Sequence, residues 1–306
     1  VSRGLGDVYK RQTCVSYSQK SHRSKGKLTI VPTPLGNLGD VTRRAQAELL
    51  ACDVVCCEDT RVTGTLLSAL GIEKRLERLD EATISARASD VIERVLAGER
   101  IAYCSDAGMP GVSDPGQRLI ACAYEMGAPI EVLPGGTAIA TAYVASGFVA
   151  PCFYFGSFFP RKKSEQVRVL ETLRSLEAVL IFYESPKRIV KALESVAGVF
   201  PARMVVVCRE LTKLHEEIVR GRADEIHAYF VERTKTAPVK GEIVLVIDAP
   251  AEEEHQADRA SAQEKAALFV EEQQINPTLS KKEMVAYLKS EFGLSRNDAY
   301  ELVHHA

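Results

Sequence analysis

Residues 101–116 read IAYCSDAGMPGVSDPG. Four apolar residues, Ile101-Ala102-Tyr103-Cys104, lead straight into a connection holding Gly108, Gly111 and Gly116 together with Pro110 and Pro115. Glycine lets a backbone approach a ligand closely and take positive φ. Proline stiffens what would otherwise be a loose loop. A rigid, backbone-rich loop at the carboxyl end of a strand is where open α/β sheets bind small molecules. The same spacing also suits a tight strand-to-helix connection that binds nothing.

Strands and helices alternate on both sides of this segment. Strands are expected over 28–33, 53–57, 100–104 and 129–133, and helices over 42–51, 62–70, 84–97, 117–126 and 137–145. Asp40 or Thr42 is placed to cap the first helix, and Gly98, Gly127 and Gly147 to stop later ones. Apolar strands alternating with helices predict a mostly parallel sheet covered on both faces. The stretch 146–151 breaks the pattern as a domain boundary would. A second α/β set follows, with strands near 153–156, 179–183, 204–208 and 243–247 and helices near 164–176, 186–196 and 223–230. The polar residues 249–259 read as a linker, and 261–306 as two or three short helices. Ser280 opens one of these as a capping box, Met284, Tyr287 and Leu288 share its apolar face, and Gly293 stops it. The expected division is a basic tail 1–27, a first α/β domain 28–148, a second 149–249, a linker 250–260 and a helical domain 261–306.

A chain of 306 residues, 46% apolar and 26% charged, has room for about two globular domains. Its net charge of −2 provides no overall basic field, so any nucleic-acid contact must come from a local patch. The eight cysteines contain no CxxC pair and no histidine cluster has zinc-ligand spacing, so no metal is expected. Cys56-Cys57 lies in an apolar run, as buried reduced thiols would, which fits a reducing cytoplasm. No run approaches the roughly 18 apolar residues of a membrane span. In residues 1–27, Arg3, Lys10, Arg11, Lys20, Arg23, Lys25 and Lys27 stand against Asp7, seven positive charges to one negative. No apolar stretch makes this a secretory signal. The piece GDVYKRQ (6–12) resembles translated adapter sequence, so 1–12 is expected to be artefactual.

Four further segments sit where a strand gives way to a helix: Pro32–Asn37, Glu58–Arg61, Leu133–Ala138 and Phe182–Pro186. If the sheet is parallel, such ends share one edge and enclose one crevice. Glu58-Asp59-Thr60-Arg61 serves either as a helix cap, through Asp59 or Thr60, or as a charged cluster that binds phosphate or ribose. Arg161-Lys162-Lys163 is either a solvated helix start or a contact for RNA phosphate. No G-x-G-x-x-G follows the first strand, and neither GxxxxGK[ST] nor G-x-S-x-G occurs.

Taken in order, VPTPLGNLGDVT (31–42), CEDTR (57–61), SDAGMPGVSDPG (105–116), LPGGTA (133–138), FFPRKK (158–163), IFYESPKR (181–188), RELTKLHEE (209–217) and VKGEIVLVI (239–247) resemble the tetrapyrrole methylase superfamily, in its branch of small-subunit ribosomal RNA methyltransferases. The resemblance spans about 28–248. It implies two α/β domains of tetrapyrrole methylase type with S-adenosylmethionine in a cleft between them, plus a small C-terminal helical domain. It also implies a cytoplasmic homodimer that methylates the ribose 2′-hydroxyl of a cytidine in the decoding region of 16S ribosomal RNA, free or in the 30S subunit, with neither metal nor membrane. Carried over by motif, the cofactor residues are Pro34, Gly36, Asp106, Gly108, Met109, Thr137, Ala138, Phe182, Glu184, Pro238 and Gly241.

A protonated ribose hydroxyl is a poor nucleophile, so a nearby base is expected. Asp59 and Glu58 lead, with Asp106 and Glu184 behind them and Arg61 holding RNA phosphate or orienting the carboxylate. Arg161, Lys162 and Lys163 are the expected RNA contacts. Two departures stand out. The family's H-x-H-N segment is Asp80-Glu81-Ala82-Thr83 here, and its P-G-P is Pro134-Gly135-Gly136. The competing functions are a precorrin-type C-methyltransferase and a non-catalytic RNA-binding protein.

Overall fold

A computed structural model describes residues 26–275 and 278–305; residues 1–25 of the expected basic tail lie outside them. Contacts divide the chain into two compact units, 1–137 and 138–306. In the first unit, β1 (Lys27–Ile30), β2 (Val54–Cys57), β3 (Arg75–Arg78), β4 (Arg100–Cys104) and β5 (Ile130–Val132) form one sheet in the order β3-β2-β4-β1-β5. Every pairing is parallel. All five carboxyl ends therefore lie along one edge.

Four helices cover this sheet: α1 (Arg43–Ala51), α2 (Thr60–Ala69), α3 (Glu81–Leu96) and α4 (Gly116–Glu125). Leu49 of α1 and Leu67 of α2 pack with Val55 and Cys57 on one face. Ile84 and Ile92 of α3 and Leu119 of α4 pack with Ile30 and Tyr103 on the other. The strands are buried from both sides, which is why they read as unbroken apolar runs. β1 and β4 are neighbours, yet the helices that follow them go to opposite faces. That is a topological switch point, the place in an open α/β sheet where a crevice opens.

The sequence pattern missed β3. Arg75-Leu76-Glu77-Arg78 carries three charges in four residues, as an edge strand tolerates. Glu77 gathers Arg94, Arg75 and Arg87 within 3.4 Å, so these charges are paired. Cys56 and Cys57 are fully buried, and burial pushes the Cys56 thiol up to about 12. It is a protonated core side chain, as expected.

The second unit begins with α5 (Ala138–Ser146). The sequence places this helix in the first domain, whose end was expected at 148; in the structure it packs on the second sheet. Its buried face, Ile139, Ala142 and Ser146, is small and carries no signal of which sheet it covers. That sheet contains β6 (Phe153–Phe158), β7 (Val179–Glu184), β8 (Met204–Arg209), β9 (Glu217–Arg222) and β10 (Ile243–Ile247), in the order β6-β7-β10-β8-β9. It is mixed: β6 and β7 are parallel, while β10 runs against β7 and β8, and β9 against β8. β9 was not expected, because its apolar positions are only Ile218 and Val219. Helices α6 (Lys163–Thr172), α7 (Ile189–Val199) and α8 (Ala223–Thr236) close one face over a core that includes Phe159, Phe182, Leu193, Phe230 and Leu245.

The expected linker 250–260 is helical. It forms the start of α9 (Glu252–Ile275), which precedes α10 (Lys281–Glu291) and α11 (Arg296–His305). Arg203, almost wholly buried, lies over the Phe200 ring at 3.7 Å and donates to Glu254 at 2.7 Å, fixing the first turn of α9 to the sheet. Ser280 and Glu283 form the expected capping box at α10. Among the described residues, no helix is long and apolar enough to cross a membrane.

Candidate functional site at the carboxyl edge of the first sheet

Four turns meet at the carboxyl ends of β1, β2, β4 and β5. Beyond β1, the Thr33 amide donates to the Gly108 carbonyl at 2.9 Å, and the Gly108 amide donates back to Thr33 at 3.1 Å. The buried Thr33 hydroxyl donates to the Ser105 carbonyl at 3.2 Å. These bonds clamp the β1 turn to the β4 loop, at the switch point. Gly108 has φ +80°, and a Cβ there would lie 3.1 Å from Leu35 and 3.7 Å from the Gly136 carbonyl. Gly135 lies so close to Pro32 that a Cβ would sit 2.3 Å from its ring. The β5 turn thus reaches the same point. From β2, the Asp59 amide donates to Asp106 Oδ1 at 3.1 Å.

The β4 loop is held from within. Asp114 Oδ1 accepts the Gly111 and Gly116 amides at 2.5 and 3.0 Å. Sequence reasoning missed Asp114 and Thr33 as structural pins. The signal for Asp114 was its place just before Pro115-Gly116, where a short carboxylate reaches backbone amides in a turn. Ser105 was missed as well; its hydroxyl is buried at the end of β4 without a hydrogen-bond partner among the described residues.

The carboxylates differ in character. Asp59 is the N-cap of α2. Its oxygens accept the Arg61 amide at 2.8 Å and the Arg61 guanidinium at 2.6 and 3.1 Å. Those bonds hold its carboxyl well below the usual range. Glu58 is half-buried, and its carboxyl is pushed up from 4.5, first by desolvation and then by the negative charges of Asp106 and Asp114. Asp106 is raised too, first by desolvation and then by Asp59. In this geometry Asp59 is engaged as a cap and ion-pair partner, whereas Glu58 is the more basic group. Asp59→Asn keeps a capping oxygen and loses only an exposed ion pair. We expect its turnover to stay within about threefold of wild type, while Asp59→Ala lowers Tm by ~2–4 °C in thermal unfolding.

Asp80 and Glu81, which stand where the family has histidines, open α3. Asp80 and Thr83 form a capping box, and Asp80 pairs with Arg78 at 2.6 Å. Glu81 pairs with Arg118 at 3.0 Å. Pro34 and Gly36 lie on the β1 turn, Met109 on the β4 loop, and Thr137 closes the β5 turn where α5 begins at Ala138.

The remaining candidates lie in the second unit. Phe182 is a core residue on β7, 1% exposed and ringed by Phe159 and Tyr154, so its side chain has no face for a ligand. The Glu184 side chain is buried at the end of β7; one oxygen accepts the Arg188 guanidinium and the Ser185 amide, each at 2.5 Å, and the other has no partner among the described residues. Desolvation raises its carboxyl. Pro238 is exposed ahead of β10, and Gly241, at φ +93°, leaves room for the Glu210 side chain. Arg161, Lys162 and Lys163 are exposed where the chain enters α6. Among the described residues, no group of three or more histidine, cysteine or acidic side chains is placed to hold a metal ion.

The site chemistry can be compared with known proteins. The family model for tetrapyrrole (corrin/porphyrin) methylases matches residues 27–227. A protein from Halalkalibacterium halodurans named ribosomal RNA small subunit methyltransferase I is 34% identical over 293 residues, covering 96% of this chain and 99% of that protein. Proteins of the same name from Thermotoga maritima and Streptococcus pyogenes serotype M1 are 38% and 40% identical, covering 72% and 76% of this chain and 98% and 80% of theirs. Among solved structures, diphthine synthase aligns with TM-score 0.58 at 17% identity, over 72% of this chain and 90% of that one. The methyltransferase CobJ aligns with TM-score 0.57 at 19% identity, over 74% and 95%. These two likenesses concern the fold.

Proposed function

This chain belongs to the tetrapyrrole methylase family, and from that membership we propose that it moves the methyl group of S-adenosylmethionine to the ribose 2′-hydroxyl of a cytidine in the decoding region of small-subunit ribosomal RNA. It is a methyltransferase, and its relatives at 34–40% identity are named for small-subunit ribosomal RNA. The observation that carries the proposal is the meeting of the β1, β4 and β5 turns around Gly108, with the β2 turn bonded to Asp106 beside it, at the switch point of a parallel sheet.

The residues there suit a cationic nucleoside. Glu58, Asp106 and Asp114 concentrate negative charge, and the buried Ser105 hydroxyl has hydrogen-bonding capacity to spare. Gly136 is exposed, with nothing nearer than Leu35 at 4.0 Å from where a Cβ would be, while Gly108 is buried with its amide and carbonyl bonded to Thr33. The β1 turn with Pro34 and Gly36, the β4 loop from Asp106 to Met109, and the β5 turn up to Thr137 would hold the methyl donor. S-adenosylmethionine brings an activated methyl group on a sulfonium, so the protein's tasks are alignment and proton removal. Glu58 accepts the proton of the 2′-hydroxyl as the oxygen takes up the methyl group. Asp106 and Asp114 keep Glu58 basic, and Arg61 holds Asp59 in its cap and leaves Glu58 the acceptor. Mapping ribose methylation in small-subunit RNA incubated with the protein and S-adenosylmethionine tests this. One new 2′-O-methylcytidine supports it; methylation of a tetrapyrrole instead would replace it with the precorrin-type reaction.

Arg161, Lys162 and Lys163 are proposed to meet RNA phosphate. Replacing all three by alanine should flatten the dependence of log affinity on log salt by about two to three units of slope. An unchanged slope in a binding titration across salt concentrations would remove them from that role.

A further inference from the structure

The outer strand of the second sheet carries side chains that methyl transfer does not use. Among the described residues, β6 pairs on one side only, with β7. Phe155 pairs with Ile181 but Phe158 with Tyr183, so β6 advances three residues where β7 advances two. In a regular strand, residues three apart point to opposite faces. The bulge brings Phe155 and Phe158 to the same face, both edge-on to the Tyr183 ring with centroids 5.0 and 5.5 Å away. Within it, Ser157 takes φ +58°, and Gly156 is the one residue that fits over the Phe182 ring, 2.2 Å from where a Cβ would be.

This strain does not bury Phe158, which stays 56% exposed. Core packing thus gives no reason for re-aiming it, and bulges beside functional sites re-aim side chains for other uses. Three residues further on stand the exposed cations Arg161, Lys162 and Lys163. Lys162 and Lys163 pair with Glu165 and Glu194 at the surface, and Arg161 makes no ion pair among the described residues. Aromatic rings at the surface next to exposed cations are how proteins hold single-stranded nucleic acid, rings stacking bases and cations following phosphates. A second copy of this chain fits less well. A two-fold contact through this edge would bring both sets of cations into one interface.

We infer that Phe155, Tyr183 and Phe158 form a ledge that stacks an unpaired base of the RNA substrate, with Arg161–Lys163 on the flanking phosphates. This rests on the RNA assignment above. The test uses the full chain and an oligoribonucleotide carrying 2-aminopurine in an unpaired stretch, whose fluorescence falls on stacking. Wild type should quench it. Phe158→Ala should lose the quench and about tenfold in affinity, with the salt slope unchanged because no cation is lost. Phe158→Tyr should keep both. Phe158 is exposed, so thermal unfolding of Phe158→Ala should match wild type.

The ledge is overturned if Phe158→Ala quenches and binds like wild type. It is equally overturned if that variant binds RNA normally but sediments as a smaller species, which would make the patch a subunit contact. Methylation of small-subunit RNA by wild type separates the two levels. If it occurs and Phe158→Ala binds normally, the ledge alone fails. If it does not occur, the RNA assignment fails and the ledge falls with it.

Discussion

Replacing Glu58 by glutamine should lower turnover about 10²–10⁴-fold while the affinity for S-adenosylmethionine stays within about twofold, because the substitution removes a proton acceptor and keeps its shape. The ordering against Asp59 is the informative part. Both carboxylates follow β2 and are adjacent in sequence, yet one is a helix cap, ion-paired and weakly basic, and the other is half-buried among like charges. Proton removal needs the second kind. The acid limb of kcat/KM in wild type should therefore lie above 4.5, the ordinary value for a glutamate.

Stability should move the other way. The folded chain binds the Glu58 proton more tightly than the unfolded chain, so this group favours folding below about pH 4.5, and that contribution is lost as pH rises through its folded value. At neutral pH, ionised Glu58 opposes folding, and Glu58→Gln should raise Tm by ~1–2 °C. Below pH 4 the difference should vanish. A variant with turnover within threefold of wild type would show that Glu58 does not take the proton.

Gly108→Ala should weaken S-adenosylmethionine binding at least tenfold. Gly108 takes φ +80°, and an added methyl would press on Leu35 and narrow the place where the β1, β4 and β5 turns meet. Backbone strain alone would also destabilise the chain, so Gly127→Ala is the matched control. Gly127 takes φ +70° at the end of α4 with nothing within 4 Å of a Cβ. Each substitution forces a side chain into the left-handed region, at about 1–2 kcal/mol, or ~2–6 °C in Tm. Only Gly108→Ala should lose the ligand in calorimetric titration. Equal loss in both variants would mean that strain, not the crevice, governs binding.

The first sheet was legible because its central strands, from Val54-Val55-Cys56-Cys57 to Ile101-Ala102-Tyr103-Cys104, are buried on both faces and leave no polar alternation to confuse. The glycine and proline turns at their ends were legible for a related reason. Positive φ and close backbone contact restrict those positions to few residues, as at Gly108 and Gly135. What stayed hidden depended on distant partners. Arg75-Leu76-Glu77-Arg78 becomes a strand because Arg94 and Arg87 neutralise Glu77 from α3. The polar segment Glu252-Glu253-Glu254 reads as a linker until Arg203 appears beneath it. Asp59 and Glu58 look equivalent in sequence, and what separates them is the Arg61 pairing of Asp59 and the partial burial of Glu58 beside Asp106 and Asp114.

The most direct measurement is calorimetric titration of the purified full chain with S-adenosylmethionine. The convergence of turns around Gly108 predicts one saturable site per chain, lost in Gly108→Ala and kept in Glu58→Gln. Absence of saturable uptake by the wild-type protein, or uptake untouched by Gly108→Ala, would contradict it.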